Sequence, residues 1–116
     1  MNVILIVEDE PAVRDMLGKA LSKYLLETSV VLADSQAAAL RAVEGFDQLQ
    51  VAILDHNLPD GSGGEVARKI AEKFSAAICV GISDRPDIQP YAHYHFPKPL
   101  DIIEVVNEVK RFLSQR

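Results

Sequence analysis

Cysteine is almost missing from this chain: one thiol, Cys79, lies inside the apolar run Ala76-Ala77-Ile78-Cys79-Val80. No disulfide framework is possible within one chain, which fits a reducing compartment, and the thiol reads as a buried packing residue. Positive charge is also scarce, 12 Lys and Arg against 17 Asp and Glu for a net charge of -5. That balance argues against a nucleic-acid surface, because phosphate binding wants a basic face, although it leaves room for a local basic spot. No apolar stretch approaches the ~20 residues that span a bilayer. The opening Met1-Asn2-Val3-Ile4-Leu5-Ile6-Val7 lacks the basic flank and the length of a signal peptide. Internal repeats, low-complexity tracts and linkers are absent too. What remains is the expectation of a cytoplasmic protein without a membrane partner. At 116 residues, 48% hydrophobic and 25% charged, residues 1–116 read as one domain able to bury a core.

The chain is organised around Val51-Ala52-Ile53-Leu54-Asp55, which runs into His56-Asn57-Leu58-Pro59-Asp60-Gly61-Ser62-Gly63-Gly64. A short apolar run bounded by turn residues predicts a strand buried on both faces. Asp55 then stands where the strand gives way to loop, and in open α/β sheets ligands collect at the carboxyl ends of strands. The competing reading is an aspartate that merely caps a turn.

The same grammar repeats along the chain. Val3 to Val7 predicts strand one, stopped by Glu8-Asp9-Glu10-Pro11. A helix follows, with Pro11 in its first turn and acids near its positive end. Its apolar stripe is Val13, Met16, Leu17, Ala20, Leu21, Tyr24 and Leu25. Thr28 to Ala33 is strand two; Asp34 or Ser35 caps a helix carrying Ala37, Ala38, Leu40, Ala42 and Val43, closed by Gly45. After strand three, Val66, Ala67, Ile70, Ala71 and Phe74 form the next helix face. Ala76 to Ile82 is strand four, ending at Ser83, and Ala92 to Phe96 is strand five, leading into Pro97-Lys98-Pro99. The last helix, capped by Asp101, buries Ile102, Val105, Val106, Val109, Phe112 and Leu113. Alternating strand and helix demands a mostly parallel sheet with helices on both faces.

A parallel sheet delivers the last residue of every strand to one edge. That edge receives Glu8 and Asp9 from strand one, Asp55 from strand three, Ser83 from strand four and Lys98 after strand five. Crowded carboxylates raise one another's proton affinity unless a cation intervenes, and a hard divalent ion, most simply Mg²⁺, relieves the repulsion. Lys98 supplies a compact positive charge suited to a phosphate and Ser83 a hydroxyl donor. Together they suit phosphoryl transfer onto Asp55. Each feature has an ordinary explanation, namely a solvated acidic cluster, a serine satisfying local backbone and a surface lysine. Their joint arrival at one edge favours chemistry.

With those residues in place, the chain resembles the receiver domain of two-component response regulators over essentially its whole length. The resemblance rests on Glu8-Asp9, on Asp55 in Ile-Leu-Asp-His-Asn-Leu-Pro-Asp-Gly, on Ser83 and on Lys98-Pro99. It implies a flavodoxin-like doubly wound sheet of five parallel strands in the order 2-1-3-4-5. It also implies phosphorylation of Asp55 from a phosphohistidine on a histidine kinase or phosphotransfer protein. Mg²⁺ is then held by Glu8, Asp9 (one of the pair through water), Asp55 and the carbonyl of Asn57. Ser83 and Lys98 bind the phosphoryl oxygens, and the Lys98–Pro99 peptide is expected to be cis.

Two departures stand out. The family's switch aromatic, paired with Ser83, falls here on His95, whose charge depends on pH near neutrality. Between Ser83 and strand five only Asp84 to Tyr91 remain, and Pro86 and Pro90 fall among them. Such a stretch holds no more than about one helical turn, so helix four is predicted missing or reduced. Pro97 places strand five at the sheet edge. The bared surface near strands four and five then needs cover: Ile88 and Tyr91 folding back, a second copy of the chain, or a downstream target protein. His93 and His95 share a strand face, but two imidazoles are too few for a transition-metal site. Arg85 is placed to tune water access to the phosphoryl group.

The expected function is a stand-alone phosphorylation-dependent switch or phosphorelay intermediate, catalysing only its own aspartyl phosphorylation and dephosphorylation and otherwise not an enzyme. One alternative is a receiver-like scaffold that binds partners without switching. The other is a Mg²⁺-dependent phosphatase, disfavoured because Asn57 stands where such an enzyme needs an acid.

Overall fold

The central apolar runs become strands with both faces covered. A computed structural model describes residues 1–84 and 91–115. Its elements are β1 (Asn2–Val7), α1 (Pro11–Tyr24), β2 (Thr28–Ala33), α2 (Gln36–Gly45), β3 (Val51–Asp55), β4 (Asn57–Leu58), β5 (Gly61–Ser62), α3 (Gly63–Lys73), β6 (Ile78–Ser83), β7 (Tyr94–Pro97) and α4 (Ile102–Ser114). The main sheet has five strands in the order β2-β1-β3-β6-β7, all neighbours parallel. Among the described residues the two-residue strands β4 and β5 pair only with each other, antiparallel, so the sheet keeps the expected 2-1-3-4-5 order.

Period-two alternation divides each central strand between two cores. Ile4, Ile6, Val51, Ile53, Val80 and Ile82 face α1 and α4, packing on Leu17, Leu21, Val105, Val109 and Phe112. Leu5, Val7, Ala52, Leu54 and Cys79 face α2 and α3, packing on Ala39, Val43, Val66, Ala67 and Ile70. Helix starts follow local chemistry. Ser35 accepts the Ala38 N–H at 3.1 Å and Asp101 accepts the Glu104 N–H at 3.2 Å, while Pro11 opens α1. No helix among the described residues is long and apolar enough to cross a membrane.

Several sequence expectations shift. On α1 the seven-residue stripe is wider than the strip that the sheet and α4 can cover. Met16 and Tyr24 stay 44% and 52% exposed while Leu17, Leu21 and Leu25 are buried. On α2 the buried positions are Ala39 and Val43, and Ala37 is exposed. Gly45 closes that helix as its last residue, and no glycine has positive φ. Strands four and five begin two residues later than expected and each runs one further, as β6 and β7. At the start of β6, Cys79 donates its N–H to Nδ1 of His93 at 3.0 Å, and His93 N–H returns to the Cys79 carbonyl at 2.8 Å. His93 thus serves as a backbone partner just before β7, not as a strand-face ligand.

Among the described residues the connection from β6 to β7 contains no helix. Residues 85–90, which carry Arg85, Ile88 and most of the expected loss of helix four, lie outside the described residues. Tyr91, by contrast, packs against the core on the α2–α3 face.

Candidate phosphoacceptor site

Backbone bonds carry the candidate residues to one rim. Beyond the end of β1, Glu8 donates its N–H to Ala33 of β2 at 3.0 Å, which fixes it beside the sheet. Arg14, one turn into α1, donates from Nη1 to the carbonyls of Glu8 and Asp9 at 3.0 and 3.4 Å. Asp55 closes β3 and Ser83 closes β6, both buried, with Asp9 exposed beside them. Lys98 follows β7 directly, its N–H bonded to the Ser83 carbonyl at 3.1 Å, and the Lys98–Pro99 peptide is cis.

The side chains converge. Lys98 Nζ lies 2.8 Å from Glu8 Oε1 and 3.2 Å from Asp55 Oδ2. Asp55 Oδ1 accepts the Asn57 N–H at 3.2 Å. Glu8, Asp9 and Asp55 each offer a carboxylate oxygen, all within 4.8 Å of one another. Burial, and then the closeness of the Asp55 carboxyl, raise the proton affinity of the Glu8 carboxyl above the usual range, partly offset by Lys98. Burial works against the Lys98 ammonium, but its bond to Glu8 and the charge of Asp55 outweigh that and raise its pKa.

Such a rim is short of positive charge. Glu8 has no exposed surface, and its Oε1, which has no hydrogen-bond partner among the described residues, meets the Lys98 ammonium only as an ion pair at 2.8 Å. Three hard oxygen donors around one point, one of them strained by burial, fit a divalent ion that prefers oxygen ligands. The residues present therefore fit Mg²⁺.

His95 falls elsewhere than in that cluster. Phe96 faces the α1–α4 core, so alternation turns His95 to the other side of β7. It is half-buried, and its Nε2 has no hydrogen-bond partner among the described residues.

The chain matches the response regulator receiver domain over residues 4–110. It belongs to that family. This receiver domain is 33% identical over 116 residues to the TorCAD operon transcriptional regulatory protein TorR of Escherichia coli K12, covering 95% of this chain and 49% of that protein. It also matches a CheY-like response regulator receiver domain protein from Methanospirillum hungatei, with a TM-score of 0.88 at 20% identity. That match covers 99% of this chain and 95% of the other, and shows the shared fold. A third match is TrrA of Thermotoga maritima, solved in complex with Mg²⁺ and beryllofluoride, with a TM-score of 0.83 at 26% identity. It covers 97% of this chain and 99% of that one. The chain spans about half the length of the curated relatives it matches, 49, 45 and 51% for three of them. Receiver domains are signalling domains that work with histidine kinases and downstream effectors, and they bind Mg²⁺ at an acidic pocket.

Three contributors escaped the sequence reading. Arg14 holds the acid pair by its carbonyls. Asp60 reaches back to the first turn of α2, its carboxylate accepting from Gln36 N–H at 2.7 Å and Ala37 N–H at 2.9 Å. Tyr91, expected only as possible cover for the sheet, stacks on His56 beside the acceptor, ring centroids 6.2 Å apart. The acid beside the loop glycine was the available signal for Asp60, since Asp favours turns and helix starts. Nothing local distinguishes Arg14.

Proposed function

We propose that residues 1–116 form a phosphorylation-dependent switch or phosphorelay intermediate of a cytoplasmic two-component system, with Asp55 as the phosphoacceptor. One observation carries this: a lysine ammonium within 3.2 Å of the candidate nucleophile and 2.8 Å of a buried acid, at the carboxyl rim of a parallel sheet. Glu8, Asp9, Asp55 and the Asn57 carbonyl would hold Mg²⁺, which supplies positive charge against the phosphoryl oxygens.

The transfer uses this chain's own groups as follows. An Asp55 carboxylate oxygen attacks the phosphorus of a partner's phosphohistidine. A P–O bond forms, the P–N bond breaks, and the imidazole leaves with the electron pair. Lys98 shifts its bonds from the carboxylates to an oxygen of the arriving group, and the Ser83 hydroxyl donates to another. Hydrolysis later returns Asp55 and inorganic phosphate, so the chain resets itself without turnover on a separate substrate. The signal would pass to a downstream protein, or to a second copy of the chain, through the region of β6 and β7.

Intact mass after treatment with Mg²⁺ and acetyl phosphate tests the chemistry. One added phosphoryl mass is expected on the wild type and none on Asp55→Asn. No adduct on the wild type, or the same adduct on both, overturns the reading.

A second reading follows from His95. An imidazole in place of the family's switch aromatic is what a partner-binding scaffold that no longer switches would show. It predicts that saturating beryllofluoride leaves affinity for a partner unchanged. A phosphatase is disfavoured, because Asn57 cannot act as a general acid.

A further inference from the structure

Tyr91 follows residues 85–90 and packs its ring against the acceptor loop. The ring lies nearly parallel to the His56 imidazole, 14° between planes. Its hydroxyl reaches a crowded point: a Cβ placed on Gly63 would meet that hydroxyl at 2.9 Å and the Asp55 carbonyl oxygen at 2.5 Å. Only a residue without a side chain lets the phenol and the acceptor's backbone come together there. A Cβ on Gly64 would touch the ring edge at 3.5 Å. Gly63 also donates its N–H to the His56 carbonyl at 3.1 Å, which ties the start of α3 to the residue after the acceptor.

The ring has a second side. It forms a wall of a surface groove of about 290 Å³ between α3 and β6, with Ala67, Ala77, Cys79 and His93 also lining it. One aromatic therefore touches the acceptor loop and shapes a groove beside the strand that ends at Ser83. Burial, and then the negative charge of Asp55, push the phenol pKa up to about 12.

We propose that Tyr91 is the positioning aromatic that registers the phosphorylation state of Asp55 and transmits it to the groove between α3 and β6. This rests on Asp55 being the acceptor. A phosphoryl group adds negative charge and three acceptor oxygens beside the loop on which Tyr91 stacks. A response at His56 or at the Asp55 carbonyl moves the ring, and moving the ring changes the groove wall. His95, turned to the opposite side of β7 from Phe96, need not carry that coupling.

The test uses the full chain with its three tyrosines replaced by 3-fluorotyrosine. Three ¹⁹F lines are assigned by single Tyr→Phe variants, and bound beryllofluoride gives its own ¹⁹F signal. On saturation with Mg²⁺ and beryllofluoride, the Tyr91 line is expected to shift most, with Tyr24 unmoved and no shift in Asp55→Asn. Bound beryllofluoride with a stationary Tyr91 line overturns this inference and leaves the phosphoacceptor reading standing. No bound beryllofluoride overturns both. Alkylation of Cys79, the one thiol, then reports on the groove. Its rate is expected to change on beryllofluoride binding in the wild type and in Tyr91→Phe, which keeps the ring, and to become insensitive in Tyr91→Ala. A Tyr91→Ala variant that keeps the full response also overturns the proposal.

Discussion

The ammonium of Lys98 stands closer to Glu8, at 2.8 Å, than to the candidate acceptor, at 3.2 Å. An acid with no exposed surface tolerates its charge only beside a cation. Lys98→Met removes the cation and keeps the length. The variant is expected to lose on the order of 1–3 kcal/mol in urea unfolding at neutral pH, the scale of a buried polar group left without a partner. The loss should shrink at mildly acidic pH, where Glu8 takes up a proton. An equal loss at both pH values would show that the ion pair is not its source.

The wild type itself should show the matching pH dependence without Mg²⁺. Glu8 binds its proton more tightly folded than unfolded. Its contribution is therefore fully present below the ordinary carboxyl range and is lost as pH rises through its raised folded value. Glu8→Gln should flatten that part of the profile, raise the melting temperature at neutral pH, and weaken Mg²⁺ binding followed by calorimetry.

Asp60 behaves in the opposite sense. Its two bonds to the first turn of α2 hold its carboxyl below the usual range. The stability it confers is present above the unfolded carboxyl pKa and fades as pH falls through the lower folded value. Asp60→Asn should melt earlier than wild type at neutral pH, and the two curves should converge in acid. Parallel curves throughout would argue that the cap contributes nothing through its charge.

Two glycines of the same loop should respond unequally to alanine. At Gly63 the new Cβ would lie 2.5 Å from the Asp55 carbonyl oxygen, a backbone atom that cannot step aside cheaply. Gly63→Ala should cost about 1–3 kcal/mol, the usual price of overpacking, and weaken beryllofluoride binding. At Gly61 the obstacle is the end of the Gln36 side chain, 1.9 Å away, which can rotate. Gly61→Ala should be milder, losing chiefly the Ser62 N–H bond to Gln36 Oε1.

His93 takes over the ladder where β7 has not yet begun, accepting the Cys79 N–H through its imidazole. His93→Ala leaves that donor without its partner, so the Cys79 amide should exchange faster with solvent. Exchange that is slow and unchanged in the variant would rule out the role.

The fold was legible because the strands at its centre are apolar without alternation, which only a sheet covered on both sides explains. Ile4 and Leu5 are adjacent in sequence and lie in different cores. The rim was legible for a related reason, since parallel strands bring Glu8, Asp55 and Ser83 to one end wherever the helices lie. Partnerships that depend on distance across the fold were not legible. Arg14 meets carbonyls rather than a side chain, and a carbonyl leaves no trace in composition. Tyr91 finds His56 across 35 positions, through a close approach at Gly63 that reads in sequence as one more turn glycine. Met16 and Tyr24 show the converse error: helical spacing marks the residues that could be covered, not how wide the cover is.

β7 has four residues, ends the sheet, and contains Pro97, which has no N–H to offer a ladder. A border so short and so poor in donors is a bad template for adding a further strand. That margin offers a neighbour side chains rather than main chain. A substitution at His95 would then change what that margin presents without touching the Tyr94–Phe112 packing behind it.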